Sequence, residues 1–341
     1  MTTPSLDELD RRLIGALHLA PRATWDDIGA VLAADAGTLK RRFDRLHEAG
    51  MARVIGQAAW GMHSSAMPVH VFLDVTGATP LAVLERLRGL PHLQHLAQIS
   101  GDHPLYAVVH APSEAATGEA VDRLFSVPGV RRVNALPALR TLRRGINWAP
   151  GFLTDAERAG LRELTGVHPE GTATAAPPGK PLSESERTVV AHLMRDGRAS
   201  AAAIARAAGL ATSTAHRLVR RVLDERWVQP RLETVSQWLG FDTPFLLRLR
   251  VAPGSTADVM GRIDRLSQTR LTAHVAGDLS VLCTGLVADR AALAAFIDHE
   301  LAEVPGIVKA GVDVMLTEPR RYWLDRDRES GLGEFHPPGL L

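Results

Sequence analysis

The chain is poor in several residue types and patterns, and each shortage excludes something. It has one cysteine, Cys283, in 341 residues. No intramolecular disulfide and no multi-cysteine zinc site can form, and a reducing compartment is expected. No run of about 18 apolar residues occurs, and the first residues are polar and acidic rather than an apolar signal core. A soluble, cytoplasmic protein with no membrane partner is expected. There is no glycine-rich phosphate loop and no G-x-S-x-G elbow. No catalytic residue, cofactor or metal is implied. Charge of one sign is also lacking: the formal net charge is +1, so any nucleic-acid signal must come from local clustering. Lysine is scarce, at Lys40, Lys180 and Lys309. Scattered arginine in its place is a compositional habit and not a sign of DNA.

Hydrophobic residues make up 45% and charged residues 23% of the chain, which suits a globular protein with real cores. The length suggests about two domains. A repeat organises them. Asp10 matches Glu186, Thr38 matches Thr214, Pro68 matches Pro244, and Gly101-Asp102 matches Gly277-Asp278, each pair 176 residues apart. Pro128-Gly129-Val130 matches Pro305-Gly306-Ile307 at 177. A constant offset over this length reads as a tandem duplication, each copy holding two modules.

The first module of each copy opens with a helix start. Asp7 with Asp10, and Ser183 with Glu186, have capping-box spacing, and the shorter Asp10 should close its box less well. Two short amphipathic segments and a tight turn follow. In the first copy the second segment is Thr38 to Leu46, with Leu39, Phe43 and Leu46 on one stripe and Lys40, Arg41, Arg42 and Arg45 mostly opposite. Its counterpart is Thr212 to Val222, carrying Ser213, Thr214, His216, Arg217, Arg220 and Arg221. Two short helices, the second basic, outline a helix-turn-helix that lays its second helix in the major groove. The candidate DNA contacts are therefore Thr38, Lys40, Arg41, Arg42, Arg45, Ser213, Thr214, His216, Arg217, Arg220 and Arg221. Asp35 is the expected N-cap of the first basic helix, and Thr212 or Ser213 that of the second. The extended pieces at 52–56 and 227–230 resemble the wing of a winged helix.

The second module mixes strands and helices in the order βαββαβ, the ferredoxin-like arrangement. In the first copy, 69–75 is a strand, and 79–89 a helix with Leu81, Leu84 and Leu87 inward. Strands at 93–100 and 105–110 flank the Gly101-Asp102 turn, Ser113 caps a helix to about Val127, and 130–139 is the last strand. In the second copy the strands are 246–251, 271–276, 281–286 and 307–316; the helices are a Ser255-capped one to Leu266 and 289–304. Thr154 and Glu157 open a short helix, and Gly166 to Pro181 reads as a flexible linker. The fold class is α+β, with two winged helix-turn-helix and two ferredoxin-like βαββαβ domains in tandem. The boundaries are 1–56, 57–145, a short helix and linker at 146–180, 181–232, 233–318 and a tail at 319–341. In that tail Tyr322 and Trp323 are expected to dock, and the last ten or so residues to be mobile.

This ordered set resembles the Lrp/AsnC family of bacterial regulators. The matching residues are Leu6-Asp7, Asp10, Thr38, Arg41-Arg42, Arg45-Leu46, Gly50, Gly101-Asp102 and Pro128-Gly129-Val130. In the second copy they are Leu182, Gly209-Leu210, Ser213-Thr214, Arg217, Arg220-Arg221, Gly277-Asp278 and Pro305-Gly306-Ile307. The resemblance implies a sequence-specific transcriptional regulator that binds double-stranded DNA and self-associates through its βαββαβ modules. It also implies a small effector, such as an amino acid, near Gly101, Asp102, Gly277 and Asp278. Those turns read equally as ordinary tight connections. Two positions depart from the family: Pro104 and Ser280 stand where an aspartate is common, and Asp35 and Ala211 where a serine is usual. Asp35 and Asp44 make the first reader the weaker one, or one with a different preference. His92, His95, His103 and His110 read as surface or core residues rather than metal ligands, and Cys283 as a buried apolar residue.

Tandem chains of similar outline also occur as sirohaem decarboxylases, which carry a His-Asn-Tyr-x-Arg stretch. The corresponding Gln94 to Ser100 lacks its Tyr and Arg. A third option is a sensor whose helix-turn-helix units only mediate assembly.

Overall fold

A computed structural model describes residues 6–144, 148–165 and 182–340; the expected linker at 166–181 lies outside them. In chain order, α1 (Glu8–Leu19), α2 (Trp25–Leu32) and α3 (Ala36–Glu48) lead into β1 (Ala52–Ala58). Then come β2 (Val69–Val75), α4 (Pro80–Arg88), β3 (Leu93–Ile99), β4 (Leu105–Val109), α5 (Glu114–Phe125) and β5 (Val130–Arg144). They are followed by α6 (Asp155–Thr165), α7 (Glu184–Arg195), α8 (Ala201–Ala208), α9 (Thr212–Asp224) and β6 (Val228–Thr234). The remainder is β7 (Thr243–Val251), α10 (Thr256–Arg265), β8 (Thr269–Val275), β9 (Val281–Val287), α11 (Arg290–Ala295) with a π-helical turn Phe296–Leu301, β10 (Ile307–Arg321), β11 (Leu324–Asp327) and β12 (Gly331–Phe335). Two compact units result. Met1–Ser64, Ala149–Val235 and Glu329–Leu341 form a helical unit, and Ser65–Trp148 with Ser236–Arg328 a sheet unit.

In the helical unit the caps set where the helices begin. Asp7 accepts the Asp10 amide at 2.9 Å and returns its own N–H to the Asp10 carboxylate at 3.3 Å. The corresponding return bond from Ser183 to Glu186 is 2.8 Å, because Glu186 reaches back with one more methylene. Thr154 and Glu157 close the same kind of box ahead of α6. Asp35 caps α3 through the Thr38 amide at 2.7 Å. For α9 the expectation of Thr212 or Ser213 is corrected: the cap position is Ala211, which has no oxygen to offer.

The two extended pieces that resemble wings form one ladder. β1 and β6 pair with each other, antiparallel, from Ala52 opposite Thr234 to Ala58 opposite Val228. A lone seven-residue strand would leave a row of amides and carbonyls unpaired, and the ladder satisfies both strands at once. Ile55 opposes Arg231, its own repeat mate 176 residues on. A local twofold axis therefore runs through that pair. Arg22 donates to the carbonyls of Gly197 and Ala199, and its mate Arg198 to those of Pro21 and Ala23. The tail, expected to be mobile at its end, instead contributes β12, whose Leu332 amide donates to the Gly50 carbonyl at 2.8 Å.

In the sheet unit the order βαββαβ runs from β2 to β5 and again from β7 to β10. The strands are ordered β11-β10-β3-β4-β2-β5-β8-β9-β7, and β10 also pairs with β7, so the sheet closes on itself. This explains why β5 and β10 outrun their expected ends. β5 pairs with β2 through Pro137 and with β8 from Ala138; β10 pairs with β7 through Val314 and with β3 from Met315. Alternation along β2 sends Val69, Val71 and Leu73 toward α4 and α5, and Phe72 to the opposite face. Leu81 was expected inward but is 53% exposed. The inward stripe of α4 is Val83, Leu84 and Leu87. Ser113 caps α5, whereas Ser255 sits at the start of α10 without a side-chain bond. Cys283 is buried against Phe245 and Val259 in the second helix-covered core. Trp323 is buried and stacks on His110.

The inner face carries polar groups among its apolar ones, His70 and Tyr106 first. Nδ1 of His70 lies 2.6 Å from the Tyr106 hydroxyl. Burial, with His95 nearby, pushes the His70 pKa down to about 3. The neutral ring shares a hydrogen bond with the Tyr106 hydroxyl, its direction set by the imidazole tautomer. The folded value lies below the unfolded one of about 6.5, so the unfolded state binds the extra proton between them. Stability from this site is full above about pH 6.5 and falls as pH drops toward 3, by at most about 1.4 kcal/mol per pH unit. Thermal melting of His70→Leu/Tyr106→Phe should show a shallower acid limb than the parent; parallel limbs would remove His70 as the source.

Candidate nucleic-acid interface

The two basic helices, α3 and α9, belong to one unit and to repeat-equivalent places. Their cations do two different jobs. Arg42 contacts Asp7 at 2.7 Å and Asp10 at 2.9 Å, and Arg45 contacts Asp10 at 2.7 Å. On the second helix Arg221 contacts Glu186 and Glu225, each at 2.8 Å, and lies over the Trp227 ring. Asp10 is 1% and Glu186 5% exposed. These three arginines are taken up inside the unit, where they brace the third helix of each half against the first. The guanidinium beside Asp7 holds that carboxyl below its usual range. Sequence reasoning assigned all three to DNA. The signal it passed over was the shared offset, which pairs Asp10 with Glu186 and Arg45 with Arg221.

The rest differ between helices. On α3, Lys40 is tied to Asp44 at 2.6 Å and Arg41 to the Thr38 hydroxyl at 2.9 Å. Asp35 fills the helix start, and the Thr38 amide and hydroxyl hold its carboxyl low. On α9, Ser213, His216 and Arg217 are exposed, Thr214 half-buried. Arg220 is 85% exposed, 3.4 Å from Asp224. Among the described residues, no side-chain partner is found for His216 or Arg217. The first turn of α9 has no side-chain cap, so its amides face outward.

The two glycine-aspartate turns also differ. Gly101 has φ +89°, and a Cβ there would meet Asp313 Oδ1 at 2.3 Å. Asp313 is paired with Arg248 at 2.7 Å, and His103 lies 2.7 Å from Asp74. Burial raises the Asp313 pKa against the pull of Arg248. Gly277 has φ +129° and abuts Leu136 instead. Asp102 and Asp278 follow these glycines, and Asp278 faces Arg250 at 3.5 Å. No group of His, Cys, Asp or Glu side chains among the described residues could hold a metal ion. No helix of the described residues is long and apolar enough to cross a membrane.

Short caps, a tight turn and an exposed basic helix define a helix-turn-helix protein, here carrying βαββαβ modules. The AsnC-type helix-turn-helix domain matches residues 6–47 and the Lrp/AsnC ligand binding domain residues 69–147. Both of these matches fall in the first copy of the repeat, which is thus similar to the Lrp/AsnC regulators. The IclR helix-turn-helix domain matches residues 188–231. The HTH-type transcriptional regulator FL11 of Pyrococcus abyssi is 23% identical over 141 residues, 40% of this chain and 91% of that protein. That of Pyrococcus horikoshii is 21% identical over 140 residues, with the same shares. Among solved structures, the siroheme decarboxylase NirDL shares the fold over 95% of this chain and 96% of its own, with TM-score 0.60 and 11% identity.

If Asp10 is the brace, Asp10→Ala should lower the stability of the helical unit by roughly 2 kcal/mol, since the arginines it releases remain within reach of water. Asp10→Ala and Arg45→Ala should then be non-additive in urea unfolding; additive losses would mean the two do not act together.

Proposed function

We propose that the chain is a sequence-specific DNA-binding transcriptional regulator, not an enzyme, with two helix-turn-helix readers and two ferredoxin-like modules in tandem. The observation that carries this reading is α9: a basic helix with exposed Ser213, His216, Arg217 and Arg220 and an open N-terminus. Side chains on such a helix divide between phosphates, which position it, and base edges, which specify. The α3 reader contributes Thr38, Lys40 and Arg41, but Asp35 and Asp44 oppose the phosphate charge. The two readers therefore favour an asymmetric site, with the α9 half-site dominant. One chain supplies both readers, as two chains do in a symmetric dimer. The βαββαβ modules support self-association and an effector. The Gly101-Asp102 turn, with Arg248 and Asp313 beside it, is the better furnished of the two turns for an amino acid.

The test is binding of the purified protein to its own promoter DNA and to a scrambled duplex of equal length, at several salt concentrations. Preference for the promoter, weakening steeply with salt, is expected. Arg217→Ala should cost about 1–3 kcal/mol of that binding and Arg41→Ala less. No preference at any salt, or a larger loss from Arg41→Ala, would overturn the respective claim.

A second reading, a siroheme-decarboxylase-like enzyme, is favoured by the likeness to NirDL along nearly the whole chain. NirDL has also been solved in co-complex with an iron-uroporphyrin III analogue, again similar to this chain at TM-score 0.57. Titration with such an analogue separates the two: no saturable spectral shift is expected of the regulator.

A further inference from the structure

The helical unit holds a cavity of about 710 Å³ beside α3, bounded also by β1, the turn after α7 and Leu332 of β12. That volume is in the range of small-ligand sites. Part of its wall is aromatic: Trp25 and Phe43 are half-buried, with ring centroids 5.4 Å apart. Its carboxylates are already engaged. Asp44 holds Lys40 at 2.6 Å, and Asp196 accepts the Arg198 amide at 2.8 Å. Arg198 is engaged too, lying over Trp25 and donating to two carbonyls.

Two guanidiniums remain, Arg53 and Arg195. Among the described residues neither has a carboxylate within 4 Å. The bonds of Arg53 go to the carbonyls of Gly333 and Arg195, at 3.4 and 3.5 Å. Burial lowers the pKa of Arg53, and the charge of Arg195 adds to this while Asp196 opposes it. Burial and the charge of Arg22 bring that of Arg198 down to about 10. The cavity thus holds more cations than anions, beside an aromatic wall whose Trp25 and Phe43 rings are tilted 42° to each other, with Arg198 over Trp25.

We propose that this cavity binds a small organic anion with a flat aromatic body. Its carboxylate would be held between Arg53 and Arg195, and its ring against Phe43, at the edge of the Trp25–Arg198 stack. Charge-assisted pairing to two guanidiniums and stacking on aromatic rings are the recognition chemistry. The site is separate from the glycine-aspartate turns, which lie in the sheet unit.

The experiment is calorimetric titration of the full chain with 1-naphthoate at fixed ionic strength. Saturable one-to-one binding is expected. Arg53→Ala/Arg195→Ala should weaken it about tenfold or more, as should replacing the probe by neutral 1-naphthamide. Inorganic phosphate, an anion without a ring, should bind more weakly than naphthoate. No binding at millimolar probe, or unchanged affinity in the double variant, would overturn the proposal. Should that variant fail to fold, equal affinity of the parent for the amide and the acid would overturn it as well. Phosphate binding as tightly as naphthoate would overturn the aromatic class.

Discussion

The ladder between β1 and β6 is the constraint on which the helical unit depends. Each strand is short, follows a basic helix and, among the described residues, pairs with no strand of its own half. Pairing the two strands fixes the relation of the halves to the register of one ladder. Backbone approaches at Gly56 and Gly197 make it possible. A Cβ on Gly56 would meet the Leu193 carbonyl at 2.4 Å, and one on Gly197 the Ile55 carbonyl at 2.7 Å. The Gly197 amide donates to Val54, and the reciprocal Arg22 and Arg198 bonds sit to either side of the axis. The axis residues themselves are unlike. Arg231 and Glu233 form a buried pair at 2.6 Å, with Gln57 accepting from Arg231 at 2.9 Å; their repeat mates are Ile55 and Gln57. Such a pair adds little net stability, but loss of one partner is costly because the other charge stays buried.

The sheet unit applies the same rule to larger pieces. Each βαββαβ module buries one sheet face under its own helices and leaves the other face apolar. The closure through β10–β3 and β5–β8 buries those remaining faces together, around Phe72, Tyr106, Leu136, Leu246 and Leu282. The framework is symmetric and the interior is not. His70, His95 and Tyr106 stand where the second module has Leu246, Leu271 and Leu282. Glu318 joins them, 3.2 Å from His95, and Arg321 holds it ionised despite its burial. In the opposite sense, Arg248 and Asp313 stand where the first module has Phe72 and Leu136.

What the sequence made legible was local. Capping boxes at Asp7, Thr154 and Ser183, the Asp35 and Ser113 caps, and the order of strands and helices all follow from nearest-neighbour chemistry. What it did not make legible was partnership over distance. A strand reads alike whether it folds back as a wing or pairs with a strand 176 residues away. The basic stripe of α3 is likewise the same string of letters whether Arg42 and Arg45 face a phosphate or reach Asp7 and Asp10. Leu81 was misplaced because residues at i, i+3 and i+6 drift round the helix by about 60° a step, whereas Val83, Leu84 and Leu87 share a narrower stripe. β12 was missed because its Gly-rich letters carry no period, and its place is set by the Gly50 carbonyl it finds.

The division of labour among the arginines bears most directly on function. Asp10 with Arg45 and Glu186 with Arg221 are the same device at the same offset, so each third helix is held against the first in the same way. Once those are set aside, the charge left for a partner is unequal. On α3 the cations Lys40 and Arg41 are tied to Asp44 and Thr38, and Asp35 occupies the helix start. On α9 Arg217 stands open and Arg220 nearly so, and the start carries no acid. Bracing of equal kind with unequal free charge leaves α9 with more unpaired positive charge than α3. On the reading proposed above, that inequality would place the burden of affinity on one half of a site and leave the other half to set its orientation.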